Sequence, residues 1–176
     1  MADKSKARDG RRIVSSAELA DSGAPALSEF EYGLFISDNA FERWIVRCMA
    51  GAGYPDFSPL EVMVVHTVNH RARDKRLSDI CFVLNIEDTH LVNYALKKLL
   101  KAGLVEAEKR GKETAWRTTK QGAEACARYR EVRELCLVET VKALGNFDED
   151  EIATVARFLR ALSGLYDQAA RAATSL

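Results

Sequence analysis

Residues 76–120 read RLSDICFVLNIEDTHLVNYALKKLLKAGLVEAEKRGKETAWRTTK, and this stretch decides the fold. Apolar residues recur at helical spacing in two segments, which predicts a short helix over 77–84 and a second helix over 88–102. A three-residue corner at 85–87 separates the two helices. Gly103 ends the second helix, because glycine readily adopts the positive φ at which many helices stop. This order predicts a helix-turn-helix.

A predicted β-hairpin follows the second helix. Its two extended runs are LVEAEK at 104–109 and TAWRTT at 114–119. They are joined by 110–112, in which Gly111 supplies the positive φ that a tight turn requires. Helix, corner, helix and hairpin together predict a winged helix-turn-helix, with the hairpin as the wing.

The second predicted helix has two chemically different faces. One face is apolar and can be buried, and it consists of Leu91, Val92, Ala95, Leu96, Leu99 and Leu100. The other face carries short or planar polar groups near the N-terminal end, which is the part that meets base edges in helix-turn-helix proteins. Asn93 in particular can bond adenine bidentately in the major groove. An ordinary solvated helix face is the alternative interpretation.

Positive charge is concentrated around these elements. Residues 71–120 contain twelve Lys and Arg against seven Asp and Glu, although the whole chain is neutral. The cluster of cations at the hairpin tip suits the phosphates of double-stranded DNA, and a solubilising charged loop is the alternative. The predicted DNA-binding residues are Ser78, Thr89, His90, Asn93, Tyr94, Lys97, Lys98, Lys109, Arg110 and Lys112.

The stretch LKKLLKAGLVEAEKRGKETAWRTTKQG, residues 96–122, resembles the MarR family of winged-helix transcription regulators. That family has a recognition helix ending in Leu-x-x-x-Gly-Leu-Val, then a wing, then a Leu-Thr-x-x-Gly entry to a long helix. The first pattern is matched by Leu99, Gly103, Leu104 and Val105, and the second by 118–122 with Thr118 in place of leucine. The wing departs from the pattern, since 109–113 is short and lacks the Asp-x-Arg-Arg of many members. Leu91 also stands where Ser or Thr is common.

The resemblance covers about residues 28–170 and implies a mainly α fold with a small β-hairpin wing. In that fold a winged helix-turn-helix domain is flanked by long dimerisation helices. The predicted division is a disordered basic arm at 1–27, an N-terminal dimerisation helix at 28–57, the DNA-binding domain at 58–122 and C-terminal dimerisation helices at 123–176. Ser28 with Glu31, and Ser58 with Glu61, each have the spacing of a helix-starting capping box.

The terminal helices carry more apolar surface than a lone surface helix needs. The last predicted helix has a stripe at helical spacing that includes Ile152, Val155, Leu159 and Leu162. MarR proteins dimerise through such helices, so the resemblance implies a homodimer formed by 28–50 and 125–170. An intramolecular helical core is the alternative.

A small-molecule effector is a further expectation. In the MarR family a cavity between the dimerising helices and the DNA-binding lobe often takes small aromatic anions. Trp44, Arg47, His66 and His70 are candidates to line such a cavity, and packing or surface positions are the alternative. His66 and His70 are four residues apart, but spacing identifies no third ligand, so we predict no metal site.

Other classes of function find little support. The four cysteines, Cys48, Cys81, Cys126 and Cys136, have no CxxC spacing and indicate free thiols in a reducing cytoplasm. Cys48, with Cys126 or Cys136, is a weaker candidate for peroxide sensing. No apolar run approaches the roughly 20 residues of a membrane span. The chain lacks a nucleotide-binding glycine loop and a nucleophile motif, so we predict neither an enzyme nor a cofactor.

The sequence therefore predicts a MarR-like dimeric transcription regulator, acting as a repressor on a pseudo-palindromic operator. Helix 88–102 would read the bases, the wing at 104–118 would contact phosphate, and a small aromatic ligand would release the DNA. The alternative from another class is a winged-helix module that binds protein rather than DNA.

Overall fold

The computed structural model describes residues 24–145 and 148–176. The elements are α1 (Pro25–Gly51), α2 (Pro59–Asn69), a 3-10 turn (His70–Ala72), α3 (Leu77–Leu84), α4 (Thr89–Lys101), β1 (Val105–Arg110), β2 (Glu113–Thr118), α5 (Lys120–Arg133), a π turn (Glu134–Val138), α6 (Glu139–Leu144) and α7 (Glu149–Ala173). The two strands form one antiparallel hairpin. The predicted fold class, mainly α with a small wing, is confirmed.

Helix α2 lies at the centre of the hydrophobic core. Val62, Val64, Val65 and Val68 are all at most 2% exposed. The helix contacts α1, α4, α5 and β2, which accounts for its being apolar on more than one face. Because so many elements pack on α2, it fixes the position of α4 relative to the wing.

Local capping signals set most helix starts as predicted. The Ser58 side chain accepts a hydrogen bond from the Glu61 N–H, and the Glu61 carboxylate accepts one from the Ser58 N–H at 2.7 Å. Asp88 accepts from the His90 N–H at 2.8 Å at the start of α4. Asp148 does the same for Asp150 at the start of α7. These caps satisfy N–H groups that a helix leaves unpaired in its first turn.

The start of α1 differs from the prediction. The helix begins at Pro25, and Ser28 lies inside it rather than at its cap. Proline is favoured in the first turn because its missing N–H would be unpaired there in any case. The predicted Ser28 capping box, and the inclusion of 24–27 in a disordered arm, are therefore wrong. Residues 1–23 of that predicted arm lie outside the described residues.

The long helix predicted to run from about 120 to 144 follows that course, but a π turn at Glu134–Val138 interrupts it. Its start is fixed by Thr119, whose hydroxyl donates to the Gly103 carbonyl at 2.7 Å and accepts from the Gly122 N–H at 3.0 Å. A Cβ at Gly122 would lie 1.9 Å from the Leu104 carbonyl oxygen. Glycine at 122 thus lets α5 approach the end of α4, which explains that part of the sequence pattern.

The terminal helices leave apolar side chains exposed. On α7 these are Ile152, Val155, Phe158, Leu159 and Leu165, and on α1 they include Phe35, Ile36 and Phe41. Within the chain the two helices meet at a Phe30–Phe158 edge-to-face contact with centroids 5.4 Å apart. The Tyr166 hydroxyl also donates to Glu31 at 3.0 Å. In the described part of the chain, no helix combines the length and the apolar character needed to cross a membrane.

Candidate nucleic-acid interface

Helix α4 has the two-faced character predicted for it. Val92, Ala95, Leu96 and Leu99 are at most 1% exposed and anchor the helix to the core. The opposite face presents Thr89, His90, Tyr94 and Lys97 to solvent, with Asn93 half-buried. Leu91 and Leu100 were predicted to be buried, but they are 53% and 43% exposed, because they lie at the edges of the apolar stripe rather than under it.

A groove of about 350 Å³ brings the N-terminal half of α4 together with α3 and the wing. It is lined by Arg76, Leu77, Ser78, Thr89, Asn93, Glu113, Thr114 and Trp116. Three of the predicted DNA-binding residues, Ser78, Thr89 and Asn93, therefore share one concave surface. Arg76 and Thr114 belong to the same surface and were not predicted, since nothing in the local sequence pairs α3 with β2.

The wing differs from the prediction in its charge. The Arg110 guanidinium lies 2.6 Å from an Asp74 oxygen and 2.8 Å from a Glu108 oxygen. The hydrogen bond and charge of Arg110 lower the pKa of the Glu108 carboxyl. Arg110 also belongs to β1 and not to the turn. Arg110 is thus held by two carboxylates, and its prediction as an unengaged phosphate-binding cation is corrected.

Other wing cations are paired as well. Arg117 contacts Glu106 at 2.6 Å, and Arg76 contacts Glu113 at 3.1 Å. Lys109 and Lys112 are exposed at the hairpin tip. Within 24–145 and 148–176, neither of these lysines has an ion-pair partner. The tip therefore offers two lysines, while the arginines of the wing are largely offset by neighbouring carboxylates.

Lys98 does not belong to the exposed set. Its ammonium lies 2.8 Å from Glu61, whose side chain is 6% exposed, and donates to the Asp56 carbonyl at 2.6 Å. It also lies over the Phe57 ring, 5.5 Å from the centroid. Position 98 is rotated by about 100° from Lys97 around the helix, toward α2. The prediction of Lys98 as a DNA contact is corrected: the residue ties α4 to the start of α2.

A second groove, of about 710 Å³, follows the C-terminal half of α4. The exposed Tyr94 and Lys97 line it together with Lys101, which was not predicted although it follows Lys97 by one helical turn. The opposite wall is the 53–57 loop, where the Tyr54 hydroxyl accepts a hydrogen bond from Arg128 at 3.3 Å. Positive side chains on this face thus extend along α4 beyond the predicted residues.

The candidate effector residues are not brought together. Arg47 lines a groove with Glu42, Arg43 and Pro59, whereas His66 and His70 line a different cavity of about 520 Å³. Trp44 is half-buried against the hydrophobic core. The proposed single cavity lined by all four residues is therefore corrected: only the two histidines share one.

His66 is the more buried of the two histidines. Its ring lies 4.3 Å from the Tyr129 ring, centroid to centroid, in an edge-on arrangement. Burial, with a smaller contribution from the charge of Arg130, lowers the pKa of His66. In the described residues no group of three His, Cys, Asp or Glu side chains is arranged to hold a metal ion.

The cysteine candidates for redox sensing lie in environments that oppose thiolate formation. Cys48 is 1% exposed and donates to the Tyr129 carbonyl at 3.4 Å. Burial raises the pKa of Cys48, and it raises the pKa of Cys126 to about 11. Only Cys136 among the four is exposed. Since the thiolate is the reactive species, the geometry disfavours Cys48 as a sensor.

Comparison with known proteins agrees with this geometry. Residues 57–122 match the family of winged helix DNA-binding domains. A MarR variant from E. coli, solved with operator DNA, superposes with a TM-score of 0.63 at 16% identity, over 80% of this chain and 98% of that chain. FabT from Streptococcus pneumoniae, solved with DNA, gives a TM-score of 0.58 at 19% identity, over 81% of this chain and 98% of that chain.

A search of curated protein sequences found no match. The family match covers the unit built from α2, α3, α4 and the wing, and the structural matches extend over the flanking helices as well. The chain is therefore a winged-helix protein, with a domain of the DNA-binding class at 57–122 set within the fold of the MarR structures.

Proposed function

We propose that the protein is a MarR-like transcription regulator that binds double-stranded DNA as a homodimer. The observation that carries the proposal is the concave surface on which α4 and the wing meet, with Ser78, Thr89 and Asn93 on its walls. Helix-turn-helix proteins place such a surface in the major groove. The similar structures of MarR and FabT were both solved with DNA, which supports the same use here.

Base reading is assigned to the N-terminal half of α4. Thr89, His90 and Asn93 have the hydrogen-bonding groups that major-groove edges require, and Asn93 suits adenine. Phosphate contact is assigned to Tyr94 and Lys97 along α4, to Lys101 beyond them, and to Lys109 and Lys112 at the wing tip, all of which are exposed. Phosphate contacts fix orientation on the duplex, whereas base contacts determine the preferred sequence.

A homodimer is proposed because one helix and one wing contact few base pairs, and a two-fold protein matches a pseudo-palindromic operator. The exposed apolar residues of α1 and α7 supply a surface of the kind that obligate dimers bury. Sedimentation should give about twice the chain mass of 19.6 kDa. A stable monomer at micromolar concentration would overturn the dimer.

The proposed outcome is repression, in which the bound protein blocks access to a promoter in the cytoplasm. A small aromatic ligand would release the DNA by favouring a conformation in which the two α4 helices are spaced differently. The cavity beside His66 and His70, at about 520 Å³, has the size of a small-ligand site and supports this part of the proposal.

Fluorescence anisotropy with specific and random duplexes tests DNA binding. Affinity should fall steeply as salt rises, because cations on the protein displace counterions from the phosphates. Lys97→Gln should weaken binding to both duplexes and reduce the salt slope by about 1 per site contacted, whereas Asn93→Ala should weaken mainly the specific duplex. Equal losses on both duplexes for Asn93→Ala would remove the base-reading assignment.

A protein-binding winged-helix module is the second candidate, and two observations favour it. Phe82 and Val83 on α3 are 87% and 65% exposed, which is unusual for large apolar side chains. The wing arginines are also paired with carboxylates. Duplex affinity that is negligible at low salt, with association instead dependent on Phe82, would favour this second function.

A further inference from the structure

A cavity of about 520 Å³ opens between the end of α2, the loop that follows it and α3. Its lining residues are His66, Thr67, His70, Arg71, Arg73, Lys75 and Val83. Five of these seven side chains are cations or imidazoles. No carboxylate is among the described side chains that line the cavity, so the positive charge is not neutralised from within it.

The nearest candidate counterion is engaged elsewhere. Asp74 lies in the same loop, between two of the lining residues, but its carboxylate pairs with Arg110 of the wing at 2.6 Å. The loop therefore directs its acid toward the wing and leaves its cations at the cavity. Unpaired guanidinium groups that converge on a concave surface are a common means of binding carboxylate or phosphate.

Two further features of the cavity are unusual. Arg71 has φ 61° and ψ 19°, a left-handed conformation that is costly for a residue with a side chain. Such strain is often retained where it positions a ligand-binding group. The buried Nε2 atom of His66 has no hydrogen-bond partner in the described part of the chain. Both observations are accounted for if the cavity takes a ligand that accepts hydrogen bonds.

Lys75 joins the cavity to the wing. It is 5% exposed, and its ammonium donates to the carbonyls of Val68, His70 and Arg73, which uses all three of its N–H groups. Its backbone pairs with Trp116 of β2 through hydrogen bonds of 2.9 and 2.8 Å. The loop that lines the cavity is thus fastened to the wing at one residue.

We propose that this cavity binds a small anion through Arg71, Arg73 and the two histidines, and that the bound anion acts on the wing through Lys75. The direct donors are the guanidinium and imidazole groups, because the Lys75 ammonium is already saturated and adds charge rather than a hydrogen bond. The regulatory part rests on the proposed DNA-binding function, whereas the anion site does not. The ligand class is a small carboxylate or phosphate.

Isothermal titration calorimetry with benzoate and with inorganic phosphate, at constant ionic strength in chloride, tests the site. We expect at least one probe to bind, and the comparison of the two tells a carboxylate site from a phosphate site. Arg71→Gly should weaken that binding about tenfold or more, since it removes a charge-assisted contact. Glycine adopts positive φ freely, so the loop conformation is kept.

Lys120→Gln is the matched control, because Lys120 is an exposed cation of α5 that does not line the cavity. Its affinity for the probe should equal that of the unmodified protein. Equal affinity in Arg71→Gly, or no heat from either probe at millimolar concentration, would overturn the site.

The link to the wing has its own readout. The chain has two tryptophans, so Trp44→Phe leaves Trp116 as the single fluorophore. Anion binding should change Trp116 emission and the affinity for duplex DNA, and both changes should be lost in Arg71→Gly. Normal anion binding with neither change would overturn the link. Anion binding by a protein that never binds DNA would instead refute the proposed function and leave the site intact.

Discussion

Gly122→Ala tests whether the docking of α5 or local helix preference controls stability at this position. Gly122 lies in the first turn of α5, where replacing glycine by alanine would by itself favour the helix by about 1 kcal/mol. The structure predicts the opposite sign. A Cβ would lie 1.9 Å from the Leu104 carbonyl oxygen, where ordinary contact begins at 3.4 Å, so the two backbones must separate by about 1.5 Å.

That separation has a second cost. The same carbonyl accepts a hydrogen bond from the Thr119 N–H at 3.1 Å, so moving it disturbs the cap of α5. Overpacking of this kind costs about 1–3 kcal/mol. With the upper end of that range, and the helix preference subtracted, we expect a net loss of about 2 kcal/mol. This corresponds to a melting temperature lower by roughly 4–8 °C for a chain of this size.

Thermal unfolding followed by circular dichroism measures the change. Gly33→Ala is the matched control, because Gly33 lies within α1 and an added Cβ would meet no atom within 4 Å. It should be neutral or slightly stabilising. If Gly122→Ala were as stable as Gly33→Ala, the close approach of α5 to Leu104 would not constrain the fold, and the reasoning would be refuted.

Three other predictions follow from the side-chain contacts. Lys98→Met should destabilise the fold by about 1–3 kcal/mol in urea unfolding, because the nearly buried Glu61 carboxylate loses its cationic partner. Unfolding free energy should fall as pH rises from about 9 toward 11, by up to about 1.4 kcal/mol per unit, because the Cys126 thiol ionises near 9.0 when unfolded but only at about 11 when buried. Lys112→Gln should weaken DNA binding more than Arg110→Gln in anisotropy titrations, because Arg110 is already held by two carboxylates.

Each of these has a control on the same element. Lys97→Met removes an exposed cation one residue earlier and should change stability by less than about 0.5 kcal/mol. Cys126→Ala should make the pH dependence between 9 and 10 shallower, and an unchanged slope would assign it to other groups. Arg110→Gln and Lys112→Gln that weaken DNA binding equally would show that the Asp74 contact does not restrain Arg110.

The helices of the winged unit were predictable because their signals are local. The spacing of apolar residues placed α3 and α4, and the side chains of Ser58 and Asp88 marked where α2 and α4 begin. A cap and an apolar stripe depend on residues three or four apart, which a sequence displays directly. The same reliance on local signals placed the start of α1 wrongly, since Ser28 has a capping pattern but Pro25 begins the helix.

The partners of charged side chains were decided by tertiary structure. Lys97 and Lys98 are adjacent and chemically identical, yet only Lys98 meets Glu61, 37 residues earlier in the chain. Arg110 is neutralised by Asp74 from the loop before α3. Such pairings depend on how α2, α4 and the wing are stacked.

The sequence by itself determined that a helix-turn-helix with a basic wing would form and which face of α4 would be buried, because periodicity and capping act within a few residues. Only the tertiary structure decided which cations are exposed, that Arg47 and His70 line different cavities, and that Arg71 and Arg73 join the histidines around one of them. The physical reason is that charge, unlike helix formation, depends on neighbours brought close by folding, which may lie anywhere in the chain.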